Sequence, residues 1–124
     1  MNAEELKRRT KKFGLDVIKM VGSLPSTPAA KVIGNQLLRS SLSVGANYRP
    51  ACRGRSKADF ISKIGITIEE ADESQHWLEM LAEAGLASQE KLKPLSKEAD
   101  ELIAILTASA KTARDNLNRR PQDR

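Results

Sequence analysis

The chain has 124 residues, of which 30% are charged and 3% aromatic, and its formal net charge is +5. This length is enough to bury one hydrophobic core but not two. Few aromatic residues and many Ala, Leu, Lys and Glu favour helices over strands. The one cysteine, Cys52, excludes an intramolecular disulfide, and with it a disulfide-built secreted domain.

The expected location follows from two features of the sequence. The N-terminal segment is charged and no apolar stretch follows it, so a signal peptide is not expected. The longest apolar runs are a few residues long, far short of a membrane span. We therefore expect a cytoplasmic protein that has no membrane partner.

The first two predicted helices are separated by a short segment rich in proline. Apolar side chains recur at spacings of three and four over residues 3–21, which predicts a first amphipathic helix. Gly22 follows and favours its end. The second helix is predicted to begin at Pro28, with Thr27 as its N-cap, and to run to about Cys52.

Small residues are common in the second predicted helix. They let a neighbouring helix approach closely, so we expect a tight helix–helix seam there. Pro50 removes the hydrogen bond to the carbonyl of Ala46, which predicts either a kink or an end near Arg49. The residues expected to face inwards are Val32, Leu37, Ser41, Val44 and Tyr48, surrounded by Gly34, Ser40, Ser43, Gly45 and Ala46.

The third predicted helix covers residues 57–84 and ends at Gly85. Ser56 is its expected N-cap, and Asp59 three residues later completes an acidic variant of the capping box. Its inward stripe repeats at alternating spacings of four and three, which is typical of helix bundles. The residues of this stripe are Phe60, Ile64, Thr67, Ala71, Ser74, Leu78 and Leu81.

A second apolar group on the third helix points away from that stripe. At 100° per residue, Ile66, Trp77 and Met80 lie on the other side, flanked by Glu70 and Glu73. An apolar patch with an acidic border is typical of a subunit interface, and leaving a large aromatic ring in water forgoes much of its burial energy. The alternative is a surface Trp77 that a loop partly covers.

The fourth predicted helix opens between Ser88 and Pro94 and runs to about Asn118. Its inward residues are Leu95, Ala99, Leu102, Leu106, Ala113 and Leu117. Four helices joined by short connections predict an all-α protein, an antiparallel up-down-up-down four-helix bundle. We expect residues 1–118 to form this single domain and residues 119–124 to be a basic C-terminal tail.

Charge is distributed unevenly along the chain. We call residues 49–57, RPACRGRSK, the elbow; its cations are Arg49, Arg53, Arg55 and Lys57. Arginine guanidinium groups in a turn can fork onto phosphate oxygens, which indicates a nucleic-acid-binding site. The alternative is that the elbow cations pair with acids on the third helix of another subunit. No Lys or Arg lies among these acids, which are Glu69, Glu70, Asp72, Glu73, Glu79 and Glu83.

The sequence offers no catalytic or metal-binding group of residues. Glu73 and His76 form a Glu-x-x-His pattern, but a di-iron site in a helix bundle needs two such motifs, and this chain has one histidine. Nothing in the sequence places Cys52 beside His76 for nucleophilic catalysis. There is no glycine-rich phosphate loop. We therefore expect a non-enzymatic protein without a metal or another cofactor.

The central part of the chain carries a specific resemblance. Its motifs are SVGANYR at 43–49, ACRGRSK at 51–57, Phe60-Ile61, Lys63, Glu69-x-Ala71-Asp72-Glu73, and Trp77-Leu78-Glu79. Together with residues 97–109 they resemble the small four-helix-bundle proteins known as 23S rRNA intervening-sequence proteins. The resemblance covers nearly the whole chain. One departure is Pro50, where relatives commonly carry glutamate, and its effect is a more basic elbow.

The resemblance implies a four-helix bundle that assembles into a ring-like homopentamer, without an established enzymatic activity. A related branch serves as the accessory protein of diversity-generating retroelements and binds nucleic acid and a reverse transcriptase. Two hypotheses follow. The first is a homo-oligomeric module that binds rRNA or another nucleic acid through the elbow. The second is a protein-interaction scaffold in which the charges serve self-assembly and a protein partner.

Overall fold

A computed structural model describes residues 1–119, in which four α-helices follow one another and no strand forms. Helix α1 spans Ala3–Val21, α2 spans Pro28–Ala51, α3 spans Lys57–Glu83 and α4 spans Gln89–Leu117. The predicted all-helical class and the four helices are confirmed. The predicted tail, residues 119–124, lies outside the described residues except for Arg119.

Side-chain caps set the starts of three helices. The Asn2 side chain accepts a hydrogen bond from the Glu5 amide at 2.9 Å, and Thr27 accepts one from the Ala30 amide at 3.3 Å. The Ser56 hydroxyl accepts one from the amide of Asp59 at 3.1 Å. Each cap satisfies an amide that has no partner within the first turn of its helix. The predicted caps Thr27 and Ser56 are therefore confirmed.

All four helices contribute to one core. Each helix contacts the one that follows it along the chain, and α1 also contacts α4, which closes the arrangement. The predicted inward stripe of α3 is buried from Ile64 to Leu81, and Phe60 is half-buried at its start. The largest fully buried side chains include Phe13, Val17, Leu37, Val44, Ile64, Leu78, Leu81, Leu92, Leu102 and Leu106.

The structure corrects two inward assignments. Val32 is 60% exposed, and Ile33 occupies the buried position instead. Val32 lies five residues before Leu37, which places it about 140° away around the helix, whereas Ile33 lies one turn before it. Leu117 is 47% exposed because α4 continues beyond its last buried residue, Ala110.

Small residues let α1 and α2 approach closely, as predicted for this seam. A Cβ atom on Gly14 would lie 3.1 Å from the Leu42 side chain, and one on Gly45 would lie 3.5 Å from the backbone of Thr10 and Lys11. The Leu42 side chain therefore occupies the space that a side chain on Gly14 would fill, and the α1 backbone lies at van der Waals distance from position 45. Pro50 does not end this helix, since α2 continues through it to Ala51.

Polar contacts connect the other helix pairs. The Ser40 and Ser74 hydroxyls are 2.9 Å apart and fully buried between α2 and α3. Ser74 donates to the Ser40 hydroxyl, and Ser40 donates to the carbonyl of Leu37. The Ser74 hydroxyl also lies 2.9 Å from the carbonyl oxygen of Glu70. Between α3 and α4, the Gln75 amide donates to the carbonyl of Ser96 at 2.9 Å and accepts from the Ser96 hydroxyl at 2.8 Å.

A bidentate ion pair joins α1 to α4. The guanidinium of Arg9 donates to both carboxylate oxygens of Glu98, with Nε 3.0 Å from Oε2, and also lies 3.3 Å from Glu101. These contacts are the main reason that the pKa of Arg9 is raised. Because the Arg9 side chain is only 26% exposed, its fork is held in place rather than mobile in solvent.

Helix α3 ends in a Schellman motif that depends on a glycine. Gly85 has φ of +68°, the one positive φ among the described residues. The Leu86 amide donates to the carbonyl of Leu81 at 2.9 Å, and the Gly85 amide donates to Ala82 at 3.1 Å. This geometry turns the chain towards α4 and satisfies carbonyls of the last turn.

We predict opposite effects of Gly→Ala substitution at two positions of this helix. Gly85→Ala forces a Cβ into the left-handed region and is expected to lower the free energy of unfolding by about 1–2 kcal/mol. Gly65→Ala is the control, because its Cβ meets nothing within 4 Å in mid-helix, and it is expected to raise that free energy by about 0.5–1 kcal/mol. Urea unfolding followed by circular dichroism measures both, and equal effects would contradict the cap assignment.

Candidate nucleic-acid interface

The elbow between α2 and α3 is a tight turn held by its own backbone. The Arg53 amide donates to the carbonyl of Pro50 and the Gly54 amide to that of Ala51, both at 3.0 Å. A Cβ on Gly54 would lie 2.9 Å from an Asp59 carboxylate oxygen and 3.1 Å from the Ala51 carbonyl oxygen. Glycine is therefore required at position 54 by space rather than by backbone conformation.

The four predicted cations of the elbow, Arg49, Arg53, Arg55 and Lys57, are all exposed. None of them forms a salt bridge with any residue in 1–119. The turn brings Arg53, Arg55 and Lys57 together at the point where α3 begins. The positive end of the α3 dipole faces the same region, so the elbow is a concentrated site of positive charge.

Within residues 1–119, Asp59 is the acid whose side chain hydrogen-bonds to the elbow. Its carboxylate accepts from the Lys63 ammonium at 3.1 Å and from the Arg55 backbone amide at 3.2 Å. In a capping box the Asp59 carboxylate would accept from the amide of the N-cap, Ser56. The structure shows a modified form, in which it accepts from the amide of the preceding residue, Arg55. The carboxylate fixes the backbone of the turn while leaving the Arg55 side chain available.

The same contacts lower the pKa of Asp59, chiefly through the hydrogen bond from Lys63 and also through the Arg55 amide. A carboxyl whose folded-state pKa is depressed contributes stability above its ordinary value of 3.8, and this contribution is lost as the pH falls through the folded-state value. The elbow is therefore expected to keep its geometry throughout the neutral range and to loosen only in acid.

A groove between α1 and α2 adds cations that the sequence-based assignment of the site did not include. Its volume is about 560 Å³, and Arg49 contributes to its lining. The other lining residues are Glu4, Lys7, Arg8, Thr10, Lys11, Gly14, Leu15, Leu42, Gly45 and Ala46. We call it the basic groove. In the sequence, positions 4, 8, 11 and 15 are separated by four, three and four residues. This spacing places their side chains, three charged and one apolar, on one stripe of α1 beside its core stripe.

The outer face of α3 differs in part from the prediction. Ile66 and Met80 are 45% and 40% exposed, as expected for an unpartnered apolar pair. Trp77 is instead half-buried and packs against the core, so the assignment of its whole ring to the outer side is wrong. Its indole nitrogen donates to the Glu73 carboxylate at 3.3 Å, and the His76 ring meets it edge-on at 4.7 Å between centroids.

Six acids of α3 beyond Asp59 form no ion pair within the described chain, although Glu73 accepts the hydrogen bond from Trp77. Glu69, Glu70, Asp72, Glu73, Glu79 and Glu83 form no salt bridge among residues 1–119. Uncompensated acids on this face therefore coexist with uncompensated bases in the elbow and the basic groove. The structure leaves these two surfaces of opposite sign unpaired.

The residues considered for catalysis lie apart. Cys52 lines a 660 Å³ cavity with Tyr48 and Phe60, and burial raises the pKa of the Tyr48 hydroxyl above its usual range. His76 is exposed, about 28 Å along α3 from the elbow. Within residues 1–119, no group of three or more His, Cys, Asp or Glu side chains could hold a metal ion. None of the described helices is long and apolar enough to cross a membrane.

Comparison with known proteins identifies the family. The model of the 23S rRNA-intervening sequence protein family matches residues 4–108. The chain belongs to this family. It is similar to a crystal structure of a protein of unknown function from the S23 ribosomal protein family of Bacteroides thetaiotaomicron VPI-5482, with 29% identity and a TM-score of 0.80. That match covers 90% of this chain and 99% of the other. No curated protein matches the sequence.

We predict that Gly54→Ala disturbs the elbow. The added methyl group must displace the Asp59 carboxylate and crowd the Ala51 carbonyl, and overpacking of this kind typically costs about 1–3 kcal/mol. The expected result is a lower urea midpoint and a shift of the backbone amide resonances of Arg55 and Asp59. Gly65→Ala again provides the control without a contact. An unchanged amide spectrum would contradict the spatial role of Gly54.

Proposed function

We propose that this member of the 23S rRNA-intervening sequence family is a non-enzymatic, homo-oligomeric module that binds the phosphate backbone of RNA through its elbow. The observation that carries the proposal is the group of four exposed cations of the elbow, from the last turn of α2 to the first residue of α3, which form no salt bridge in residues 1–119. Phosphate contacts supply affinity and orientation without reading bases, and they require no aromatic platform. The chain has few aromatic residues to offer as one.

The rigidity of the elbow supports this function. Two backbone hydrogen bonds, Gly54 and the Asp59 carboxylate fix the turn before any ligand arrives. Arginine side chains on a fixed backbone lose less entropy on binding than those on a mobile tail. The exposed Arg114 and Arg119, in and just after the last turn of α4, add further positive charge to this chain.

We infer that the bundle has up-down-up-down, antiparallel topology and that copies of it assemble into a ring, with five subunits as the resemblance implies. The contacts between successive helices and between α1 and α4 support the topology, as does the Arg9–Glu98 pair that links the first part of α1 to α4. The exposed Ile66 and Met80, set among unpaired acids, support self-association.

The second candidate function is a protein-interaction scaffold or accessory protein, for example a partner of a reverse transcriptase. The observation that favours it is the acidic α3 face, which repels nucleic acid and suits a basic protein. In that case nucleic acid would contribute nothing to binding. The two candidates differ in their response to salt and to substitution of the elbow.

Replacing Arg53 and Arg55 with alanine is expected to weaken RNA binding and its salt dependence. Each lost phosphate contact lowers the slope of log K against log [salt] by about 0.7 on a single strand or 0.9 on a duplex, so the double variant should lose about 1.4–1.8 units of slope. Fluorescence anisotropy with a labelled structured RNA, at several salt concentrations, measures it.

Two further variants make this test specific. Lys91→Ala with Lys93→Ala removes the same charge from exposed positions in the first turns of α4 and is expected to leave the slope nearly unchanged. Asp59→Asn removes the carboxylate that holds the Arg55 amide and is expected to weaken binding despite the lost negative charge, because the turn is then no longer fixed in advance. RNA binding that is absent at low salt, or equally sensitive to both double variants, would contradict the role of the elbow.

Self-association is tested through the exposed apolar pair of α3. Ile66→Glu with Met80→Glu is expected to reduce the mass in solution to that of a single 13.6 kDa chain. Charged groups in an apolar contact lose hydration without a partner, which makes assembly unfavourable. Trp77 is unsuitable for this purpose, because it packs against the core and its loss would disturb folding. Light scattering gives the mass, and an unchanged oligomer would refute the interface assignment.

A further inference from the structure

The basic groove and the outer face of α3 are complementary surfaces of one chain. We define the α3 ridge as Ile66, Glu69, Glu73, His76 and Met80, which recur at spacings of three and four and so form one stripe. We propose that the α3 ridge of one copy docks into the basic groove of the next copy. This proposal rests on the proposed self-association and names the second surface that it requires.

Charge is the first argument for the pairing. In the groove, Arg8, Lys11 and Arg49 form no salt bridge within residues 1–119, and neither do Glu69 and Glu73 of the ridge. An isolated chain therefore keeps two concentrations of opposite charge apart. Contact between copies would bring them together, and complementary potentials favour one orientation over others.

Apolar surface is the second argument. Leu15 and Leu42 of the groove are 51% and 46% exposed, and Ile66 and Met80 of the ridge are 45% and 40% exposed. Each surface thus carries two large apolar side chains among charges mainly of one sign, and the one acid that lines the groove, Glu4, is paired with Lys7. Burying these four side chains against one another would stabilise the contact, because removing apolar surface from water is favourable and these side chains begin half exposed.

Shape and length also agree. The seam below the groove is narrow because Gly14 and Gly45 have no side chains there, which leaves a concave surface between α1 and α2. From Ile66 to Met80 the ridge covers 15 residues and is about 21 Å long. The α1 residues that line the groove run from Glu4 to Leu15, which is about 16 Å. A helix ridge can therefore lie along the whole groove.

The pairing is heterologous, because the groove and the ridge are different surfaces of each chain. Every bound copy still presents one free groove and one free ridge, so assembly continues until the rotation closes a ring. An isologous contact, in which two ridges or two grooves meet, is disfavoured because it would place like charges together. The elbow cations Arg53, Arg55 and Lys57 do not line the groove and stay available for phosphate.

Two blocked variants test the proposal. The groove variant is Leu15→Glu with Leu42→Glu, and the ridge variant is Ile66→Glu with Met80→Glu. Each alone is expected to be a monomer. A 1:1 mixture keeps one intact groove on one chain and one intact ridge on the other, so it is expected to form a heterodimer of twice the 13.6 kDa chain mass and nothing larger. Light scattering after size exclusion measures these masses.

A second set of variants avoids apolar positions. Arg8→Glu with Lys11→Glu and Glu69→Lys with Glu73→Lys change only charged side chains that do not belong to the buried core, and the one hydrogen bond lost within residues 1–119 is that from the Trp77 indole to Glu73. The fold is therefore expected to survive, as circular dichroism can verify. Each pair alone is expected to lower the assembled fraction at least tenfold at a fixed concentration. All four substitutions in one chain reverse both surfaces and are expected to restore assembly.

The outcomes separate this proposal from the proposed function. A monomeric wild-type chain, groove variants that keep the wild-type mass, or a mixture that stays monomeric would overturn the groove–ridge contact. Loss of RNA binding by the groove pair with unchanged mass would also overturn it and make the groove a nucleic-acid surface. Failure of RNA binding alone, with the predicted heterodimer formed, would refute the elbow's function and leave the contact standing.

Discussion

The close approach of α2 to its neighbours is the constraint on which the rest of the molecule depends. Gly45 admits the α1 backbone on one side, and Ser40 meets Ser74 of α3 on the other. The core of residues 1–119 has only two buried aromatic rings, Phe13 and Tyr48, to fill a wide space between helices. Packing therefore has to come from short distances, because dispersion contacts weaken steeply with separation.

That constraint also shapes both surfaces. A narrow seam between α1 and α2 leaves the flanking side chains to form the walls of a groove, and these are Arg8, Lys11, Leu15 and Leu42. At the end of α2, the short connection to α3 concentrates basic residues in one turn. The positions of the exposed charges are thus consequences of how tightly the helices pack and how briefly they are connected.

Much of the fold could be predicted from the sequence, because bundle helices carry a strong periodic signal. The stripe of α3 from Ile64 to Leu81 and the caps Thr27 and Ser56 were found by spacing and residue type. Val32 was misplaced because Val32 and Ile33 are adjacent and equally apolar, so only the angle to Leu37 separates them. Trp77 was misplaced because a large ring near the border of the stripe can turn inwards, which a helical wheel does not show.

The candidate site was predictable in part. The four elbow cations lie within nine residues of one another in the sequence, so one local motif identifies them. The basic groove joins positions about 40 residues apart, and only the pairing of α1 with α2 brings Lys11 and Arg49 to one surface. Neighbours in space that are distant in sequence leave no local pattern. The ridge lies within one helix, so its length follows from the sequence alone. The groove is formed by two helices, so its shape requires the structure.

The fixed turn at Gly54 has a consequence for the speed of recognition. Because the backbone of residues 53–55 is held by hydrogen bonds within the chain, its ordering entropy is lost during folding and not at encounter. If the elbow binds a polyanion as proposed, the backbone of this turn would need no rearrangement before the polyanion is held. The association rate constant would then approach the collision rate, raised by the local positive potential. Differences in affinity between nucleic acids would arise from their dissociation rate constants alone.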